Sequence, residues 1–383
     1  MADLLRLLLK LSEKAANVAR VCRQEAHLFQ LLVQEKTGDD KNKKFVQDFK
    51  TLADVVIQEM IRHDVVAEFP EMGSFIRGEE SNTFVNGLGE TVTVTVCHKE
   101  KDTADLLAKV LDKDHKAASL LAQAIHQDPE AIKADTEHVF IPIKPSELGI
   151  WIDPIDATSQ YIEGREEVLE EGCLSPSGLH CALVLIGVYF RSTGEPVMGI
   201  INQPFYHKDP QSRRWRGKLY WGVTCYGHNV CSLPKPKAGA EWCPSVVLSS
   251  SEKKEVKKAL CSLCGSEKLM YASGAGYKML CVILGLADAY VLSEGSTFKW
   301  DSCAPHVLLR TFGGGVVNLN KCLQADCGVE SKNTELTYHQ PSDEHIGAER
   351  WANHGGLVAY RDRTQLCSII SALKVQLNGK QKW

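Results

Sequence analysis

The chain of 383 residues carries 44 lysines and arginines against 48 aspartates and glutamates, a formal net charge of −4. Hydrophobic residues make up 44% and charged residues 24%, the balance of a soluble globular protein too long for one small core and suited to two packed lobes. So weak a charge excludes a large electrostatic surface for nucleic acid or anionic membrane, and a strongly anionic substrate must be drawn in by local groups.

In chain order, Leu4, Leu8, Leu11, Ala15, Val18 and Cys22 recur at helical spacing, while Arg6, Lys10 and Lys14 interrupt the apolar run. That predicts an amphipathic helix packed on the body, not a signal peptide or membrane anchor. The helical pattern resumes from Gln24 to Lys36 on Leu28, Leu31 and Leu32, then gives way to a charged loop over 38–44. Thr51-Leu52-Ala53-Asp54 opens another helix running to about Val66, with Asp54 in a first turn where the macrodipole favours an acid. Phe75-Ile76 predicts a short strand leading into Glu79-Glu80, two glutamates expected to point to opposite faces. Residues 82–148 read as an insert, with a strand over Thr91–Cys97 and helices around Ala104–Leu111 and Ala117–Ile125.

The run Ile150–Ile152 predicts a buried strand that ends at Asp153-Pro154-Ile155-Asp156, because Pro154 cannot extend a sheet ladder. A helix opens at Ala157-Thr158. Strand, acidic turn and helix start together offer carboxylate oxygens to a hard cation and free N–H groups to an anion. A solvated turn is the alternative for an isolated D-x-x-D. Strands over His180–Tyr189 and Pro196–Asn202 form an expected hairpin about Ser192-Thr193-Gly194, and Leu219–Val223 adds a further strand. The linker-like 233–240 marks a boundary between an α+β lobe over 1–240 and an α/β lobe over 241–383. In the second lobe Ser249–Glu252 is expected to cap a helix, Ser273–Gly276 to open another, and Phe298–Pro305 a third. The 14 cysteines lack paired zinc spacing. Cys22, Cys181 and Cys281 read as buried free thiols, which favours a reducing, cytoplasmic compartment, and Cys261-x-x-Cys264 as structural.

Taken together, the acidic stations are Asp54, Glu79-Glu80, Asp153-Pro-Ile-Asp156-Ala-Thr158 and Trp300-Asp301, in that order. This wording resembles the magnesium-dependent, lithium-sensitive phosphatase family that includes inositol monophosphatase, fructose 1,6-bisphosphatase and the 3′-phosphoadenosine phosphatases. The likeness spans nearly the whole chain, including Arg350-Trp351-Ala352-Asn353, and one departure is Ala157 where glycine is commonest. It implies a layered α-β-α-β-α sandwich and a phosphomonoesterase that removes the 1-phosphate of inositol polyphosphates, as a monomer, with no nucleic-acid or membrane partner. It further implies that Glu79, Asp153, Asp156, Asp301 and Asp54, with the carbonyl of Ile155, hold two or three Mg²⁺ ions, and that Li⁺ inhibits. Thr158 is expected to accept a hydrogen bond from the attacking water, with its own proton engaged by Asp54, while Glu79 takes part in catalysis and Glu80 supports from behind. The N–H groups of Ala157 and Thr158, with Asp156 and Asp301, are expected to meet the scissile phosphoryl group and its ester oxygen. Ser250, Ser251, Lys253, Gly274, Ala275 and Lys278 are the candidates for recognising the rest of the substrate. A 3′-phosphoadenosine or sugar bisphosphate phosphatase, and a catalytically silent metal- and phosphate-binding module, are the alternatives.

Overall fold

The computed structural model describes residues 2–24, 33–36, 38, 41–42, 48–86, 88–129, 136, 139, 143–166, 172–234, 244–324 and 334–378. Helix α1 (Ala2–Gln24) buries Leu4, Leu8, Leu11, Ala15, Val18 and Cys22, the stripe its periodicity predicts. The helical pattern expected over Gln24–Lys36 does not continue through: α1 stops at Gln24, and Val33–Glu35 is a strand, β1, paired with β2 (Phe49–Thr51). Residues 25–32 of that expectation lie outside the described residues. Helix α2 (Leu52–Glu68) follows, capped by Thr51, and a 3₁₀ turn over Pro70–Phe75 ends it.

Strand β3 (Ile76–Gly78) leads to a small hairpin, β4 (Thr83–Val85) with β5 (Thr91–Thr93). The strand expected to reach Cys97 is thus shorter. Val94 N–H still donates to the Asn82 carbonyl in the same register, and the backbone then leaves the ladder, Cys97 N–H donating to the Thr103 hydroxyl. Helices α3 (Glu100–Val110) and α4 (His115–His126) pack into the same core as α1.

Strand β6 (Leu148–Asp156), buried along its length, does not end at Pro154: it carries through to Asp156 with a bulge between Asp153 and Asp156. Proline is tolerated because β3 pairs with β6 only as far as Ile152, so no ladder donor is required of it. After α5 (Thr158–Glu163) come β7 (Leu183–Phe190), β8 (Pro196–Lys208), β9 (Trp215–Cys225) and β10 (His228–Cys231), an antiparallel succession. Among the described residues the sheet order is β10-β9-β8-β7-β6-β3. Side chains alternate across it. Ile150 and Ile152 enter the core beneath α1 and α2, and Trp151 enters the opposite one.

The second sheet is built from β11 (Val246–Leu248), α6 (Lys254–Cys264), β12 (Leu269–Tyr271), α7 (Ala275–Leu284), β13 (Ala289–Leu292), α8 (Lys299–Thr311), β14 (Gly315–Asn318), α9 (Leu319–Gln324), β15 (Leu357–Tyr360) and α10 (Arg363–Asn378). Its order is β12-β11-β13-β15-β14, parallel about β11 and antiparallel about β15. Helices α7 and α8 lie between the two sheets, sharing a core with Trp151, Leu183 and Leu185 of the first, while α6 and α10 cover the outer face of the second. The result is the expected α-β-α-β-α sandwich. The boundary expected near residue 240 falls at 235–243, outside the described residues. Cys22, Cys181 and Cys281 are buried free thiols, and neither Cys261 nor Cys264 is in a disulfide.

Helix α8 reaches the first sheet across a track of glycines. Gly187 pairs with Gly199, which pairs with Gly222. A Cβ on Gly199 would stand 2.3 Å from the Ala304 carbonyl oxygen, and one on Gly187 2.5 Å from Cys303 Cβ. That close approach carries Asp301, in the first turn of α8, to the acidic end of β6.

Candidate active site

The bulge at the end of β6 turns Asp153 and Asp156 towards a cavity of about 360 Å³ between the two sheets. Asp301 joins them from α8, and one carboxylate oxygen from each of the three lies within 4.8 Å of the others. Both oxygens of Asp153 are buried without a hydrogen-bond partner. Burial drives the Asp153 carboxyl well above its ordinary pKa, reinforced by the charges of Glu79, Asp156 and Asp301. Asp301 is raised in the same way, although its carboxylate accepts from Phe298 N–H at 2.5 Å. Asp156 is pushed up by burial to about 6, with Lys278 and the Tyr277 N–H (3.2 Å) holding it down. Three crowded carboxylates, with both oxygens of Asp153 unpartnered, form an oxygen-only donor set that fits a hard divalent ion.

Asp54 sits at the third position of α2, inside a capping box. Its Oδ2 accepts from Thr51 N–H (2.7 Å) and the Thr51 hydroxyl (2.6 Å), while Oδ1 is buried and unpartnered. Desolvation raises its pKa to about 7, against the pull of the Thr51 hydroxyl. The expected hydrogen bond from Thr158 to Asp54 is not formed: the Thr158 hydroxyl donates to the Ile155 carbonyl at 3.0 Å. Its lone pairs are left for a donor in the cavity. Ala157, ahead of α5, has φ +64°, the left-handed conformation that glycine takes without strain.

Glu79 lines the cavity, and the more deeply buried Glu80 is not among its lining residues. Both converge on Lys36, whose Nζ lies 2.6 Å from Glu79 and 2.7 Å from Glu80. Lys36 is buried; that burial opposes its charge, but Glu79, Glu80 and Asp48 outweigh it, and its pKa stands well above the usual lysine value. Glu80, itself buried, is raised to about 8 by desolvation. Gln58 brackets the Glu80 backbone, donating to its carbonyl (2.5 Å) and accepting from its N–H (2.9 Å). Sequence reasoning missed Lys36, because its polar surroundings, Gln34-Glu35 before it and Thr37-Gly38-Asp39 after, carry no local sign of the two acids folded against it.

The substrate-side candidates divide. Ser250, Ser251, Gly274, Ala275 and Lys278 line the cavity. The expected serine cap does not form: Lys253 is the N-cap residue of α6 and supplies no side-chain bond, while the Ser250 carbonyl accepts from Lys257. Lys253 itself is half-exposed and pairs with Glu294 at 2.6 Å. Lys278 is buried in the cavity wall, where it donates to the carbonyls of Gly274 (2.7 Å) and Ala272 (3.2 Å). Desolvation lowers its pKa, with Asp156 pulling the other way. Tyr277, the aromatic nearest the glycine-rich turn, is buried, and its hydroxyl accepts from Ser175 N–H, so it offers no stacking platform.

With this fold and this cluster, the chain belongs to the inositol monophosphatase family, whose profile matches residues 71–366. It is 47% identical to the inositol polyphosphate 1-phosphatase of Bos taurus and 46% identical to that of Homo sapiens, in each case over 97% of both chains. It is also 29% identical to the 3′(2′),5′-bisphosphate nucleotidase 1 of Rattus norvegicus, over 54% of this chain and 62% of that one. Among solved structures, the extragenic suppressor protein suhB of Bartonella henselae superposes with a TM-score of 0.53 at 12% identity, covering 97% of this chain and 98% of that one. An IMPase of Thermotoga maritima gives 0.52 at 11%, covering 98% and 99%.

Proposed function

We propose that the chain is a Mg²⁺-dependent phosphomonoesterase that removes the 1-phosphate of inositol polyphosphates such as inositol 1,4-bisphosphate and inositol 1,3,4-trisphosphate. Identity of 46–47% along 97% of the chain to proteins named for that activity supports the substrate class. The observation that carries the chemistry is the cluster of Asp153, Asp156 and Asp301, the first two buried and the third half-buried, with unpartnered oxygens on Asp153. A nucleotide or sugar bisphosphate is less well supported, since the nucleotidase relatives match only about half of the chain.

Asp153, Asp156 and Asp301 would hold the divalent ions, with Glu79 beside them and the Ile155 carbonyl as a further oxygen donor. Bound there, Mg²⁺ supplies positive charge that offsets the phosphate and lowers the pKa of water. The chain does the rest. The first N–H groups of α5 have no partner within the helix, and they receive the phosphoryl oxygens. Thr158 accepts a hydrogen bond from the attacking water and so aims it, and the unpartnered Oδ1 of Asp54 is the acceptor available for its proton. Water attacks phosphorus directly, in line with the leaving inositol oxygen. Ser250, Ser251, Gly274, Ala275 and Lys278 line the wall that would meet the rest of the inositol phosphate, while Lys253 stands outside that lining, paired with Glu294.

Phosphate release from a panel of esters with Mg²⁺ tests this reading. Inositol 1,4-bisphosphate is expected to turn over faster than 3′-phosphoadenosine 5′-phosphate or fructose 1,6-bisphosphate. A preference for either of the others overturns the substrate assignment, and no release from any ester favours a silent binding module.

A further inference from the structure

The stretch Arg350-Trp351-Ala352-Asn353 has no role in the chemistry above, yet it touches both elements that carry the acidic cluster. Asn353 is 5% exposed. Its backbone N–H donates to the Thr297 carbonyl at 2.7 Å. Its Nδ2 donates to the Phe298 carbonyl (2.8 Å), the Ser302 hydroxyl (3.1 Å) and the Thr297 hydroxyl (3.2 Å). Phe298 also forms an antiparallel bridge with Ala352. These contacts fasten the backbone on either side of Asp301, including the Phe298 N–H that the Asp301 carboxylate accepts.

Two residues earlier, Trp351 meets Trp151 edge to face, with ring centroids 4.9 Å apart. Trp151 stands two residues before Asp153 on β6, and its Nε1 is itself anchored on the Tyr338 carbonyl at 2.9 Å. The Arg77 guanidinium lies 5.0 Å from the Trp351 ring centroid, two residues before Glu79. One four-residue stretch therefore grips the α8 start with an amide and the β6 strand with an indole.

We propose that Asn353 and Trp351 are positioning residues, forming a brace that sets the distance of Asp301 from Asp153 and Asp156. The inference rests on the reading that these carboxylates hold a divalent cation. Asp301 comes from the helix layer between the sheets and its two partners from the first sheet, so their separation is set by how α8 is held against β6. A metal site needs its oxygens placed to within a fraction of an ångström, so groups that hold the ligands are felt in metal affinity. Trp351 and Asn353 supply that placement without touching the cation or the substrate.

Calorimetric titration of the full chain with Mn²⁺, in the absence of substrate, tests the brace. Asn353→Ala is expected to bind Mn²⁺ about tenfold more weakly, at the lower end of the range for residues that orient metal ligands. Its phosphatase activity should recover as Mg²⁺ is raised. Leu373→Ala, a core truncation between β15 and α10, is the control: it lowers thermal stability and leaves Mn²⁺ affinity in place. Unchanged Mn²⁺ affinity in Asn353→Ala overturns the brace and leaves the phosphatase reading standing. Should that variant fail to fold, Ser302→Ala removes one of the three acceptors. It is expected to weaken Mn²⁺ binding in the same direction by a smaller factor, and unchanged affinity there is equally fatal. No Mn²⁺ binding by the unaltered chain overturns the metal reading itself, and the brace with it.

Discussion

Asp54 carries one structural job and one proposed catalytic job, and they can be separated. Its Oδ2 caps α2 through Thr51, while Oδ1, buried without a partner, is the oxygen proposed to act on water. Asp54→Asn keeps an acceptor for Thr51 and removes the base. We expect kcat to fall by about 100-fold or more, the lower bound for losing a general base, with binding of inositol 1,4-bisphosphate retained in calorimetry. Binding lost together with activity would assign Asp54 to structure or to essential metal ligation instead. Lys36 invites a second substitution. Without its ammonium, Glu79 and Glu80 have no cation in a buried place. Lys36→Met should cost roughly 2–4 kcal/mol in chemical denaturation, somewhat less than a fully broken buried pair, because Glu80 can take up a proton. Part of that loss should return with Mg²⁺. A cost under about 1 kcal/mol would mean the pair is worth no more than a surface one.

At the scale of elements, the site depends on how closely α8 lies on the first sheet. Gly187, Gly199 and Gly222 clear its path, and the Ala304 carbonyl would be 2.3 Å from a Cβ on Gly199. Backbone cannot step aside as a flexible side chain can. Gly199→Ala is therefore expected to destabilise by about 2–3 kcal/mol and to weaken metal binding as α8 lifts Asp301 away. Full stability in that variant would show that the contact is looser than it looks. Helix α7 presents the converse case. Its glycine-rich start lines the cavity, and in its first turn the Tyr277 N–H is turned onto Asp156, so the helix end also serves the acid cluster. Ala157 keeps the left-handed turn before α5 despite its Cβ, and that turn puts the Thr158 hydroxyl against the Ile155 carbonyl.

Across the whole molecule, the carboxylates couple stability to pH and to cations. In the metal-free protein Asp156 is raised to about 6, Asp54 to about 7 and Glu80 to about 8, by burial first in each case. Unfolded carboxylates titrate near pH 4, roughly, so above that pH the native state binds more protons than the unfolded one. Stability of the metal-free protein must then fall as pH rises from roughly 4 to about 8, where the last of these groups loses its proton. Thermal melts in chelator at stepped pH should show that decline, and added Mg²⁺ should shrink it because the cation takes the place of the protons. A melting temperature that climbs through this window would contradict the burial of the cluster. Lithium gives the second whole-molecule test. If the oxygen cluster holds Mg²⁺ as proposed, Li⁺ is the small hard cation expected to compete there, with half the formal charge. Release of the 1-phosphate from inositol 1,4-bisphosphate should be blocked by Li⁺ but not by equal K⁺, and should stay blocked at saturating substrate. Indifference to Li⁺ would overturn the lithium sensitivity that the family resemblance implies.

Much of this protein is written locally. The stripe of α1, the Thr51–Asp54 start of α2, the buried strand before Asp153-x-x-Asp156 and the first turn of α8 are all set by short-range periodicity, capping and turn chemistry, which is why they are legible in sequence. The order of the acidic stations is a property of the chain as well. What the tertiary structure alone decides is which groups meet. Lys36 joins Glu79 and Glu80 across 43 and 44 residues, a pairing no local pattern encodes. The same holds for the clearance that Gly187 and Gly199 give α8, and for Asn353 at the α8 start. Propensity acts between near neighbours along the chain, whereas charge neutralisation, close packing and buried hydrogen bonding act between whatever the fold brings within a few ångströms.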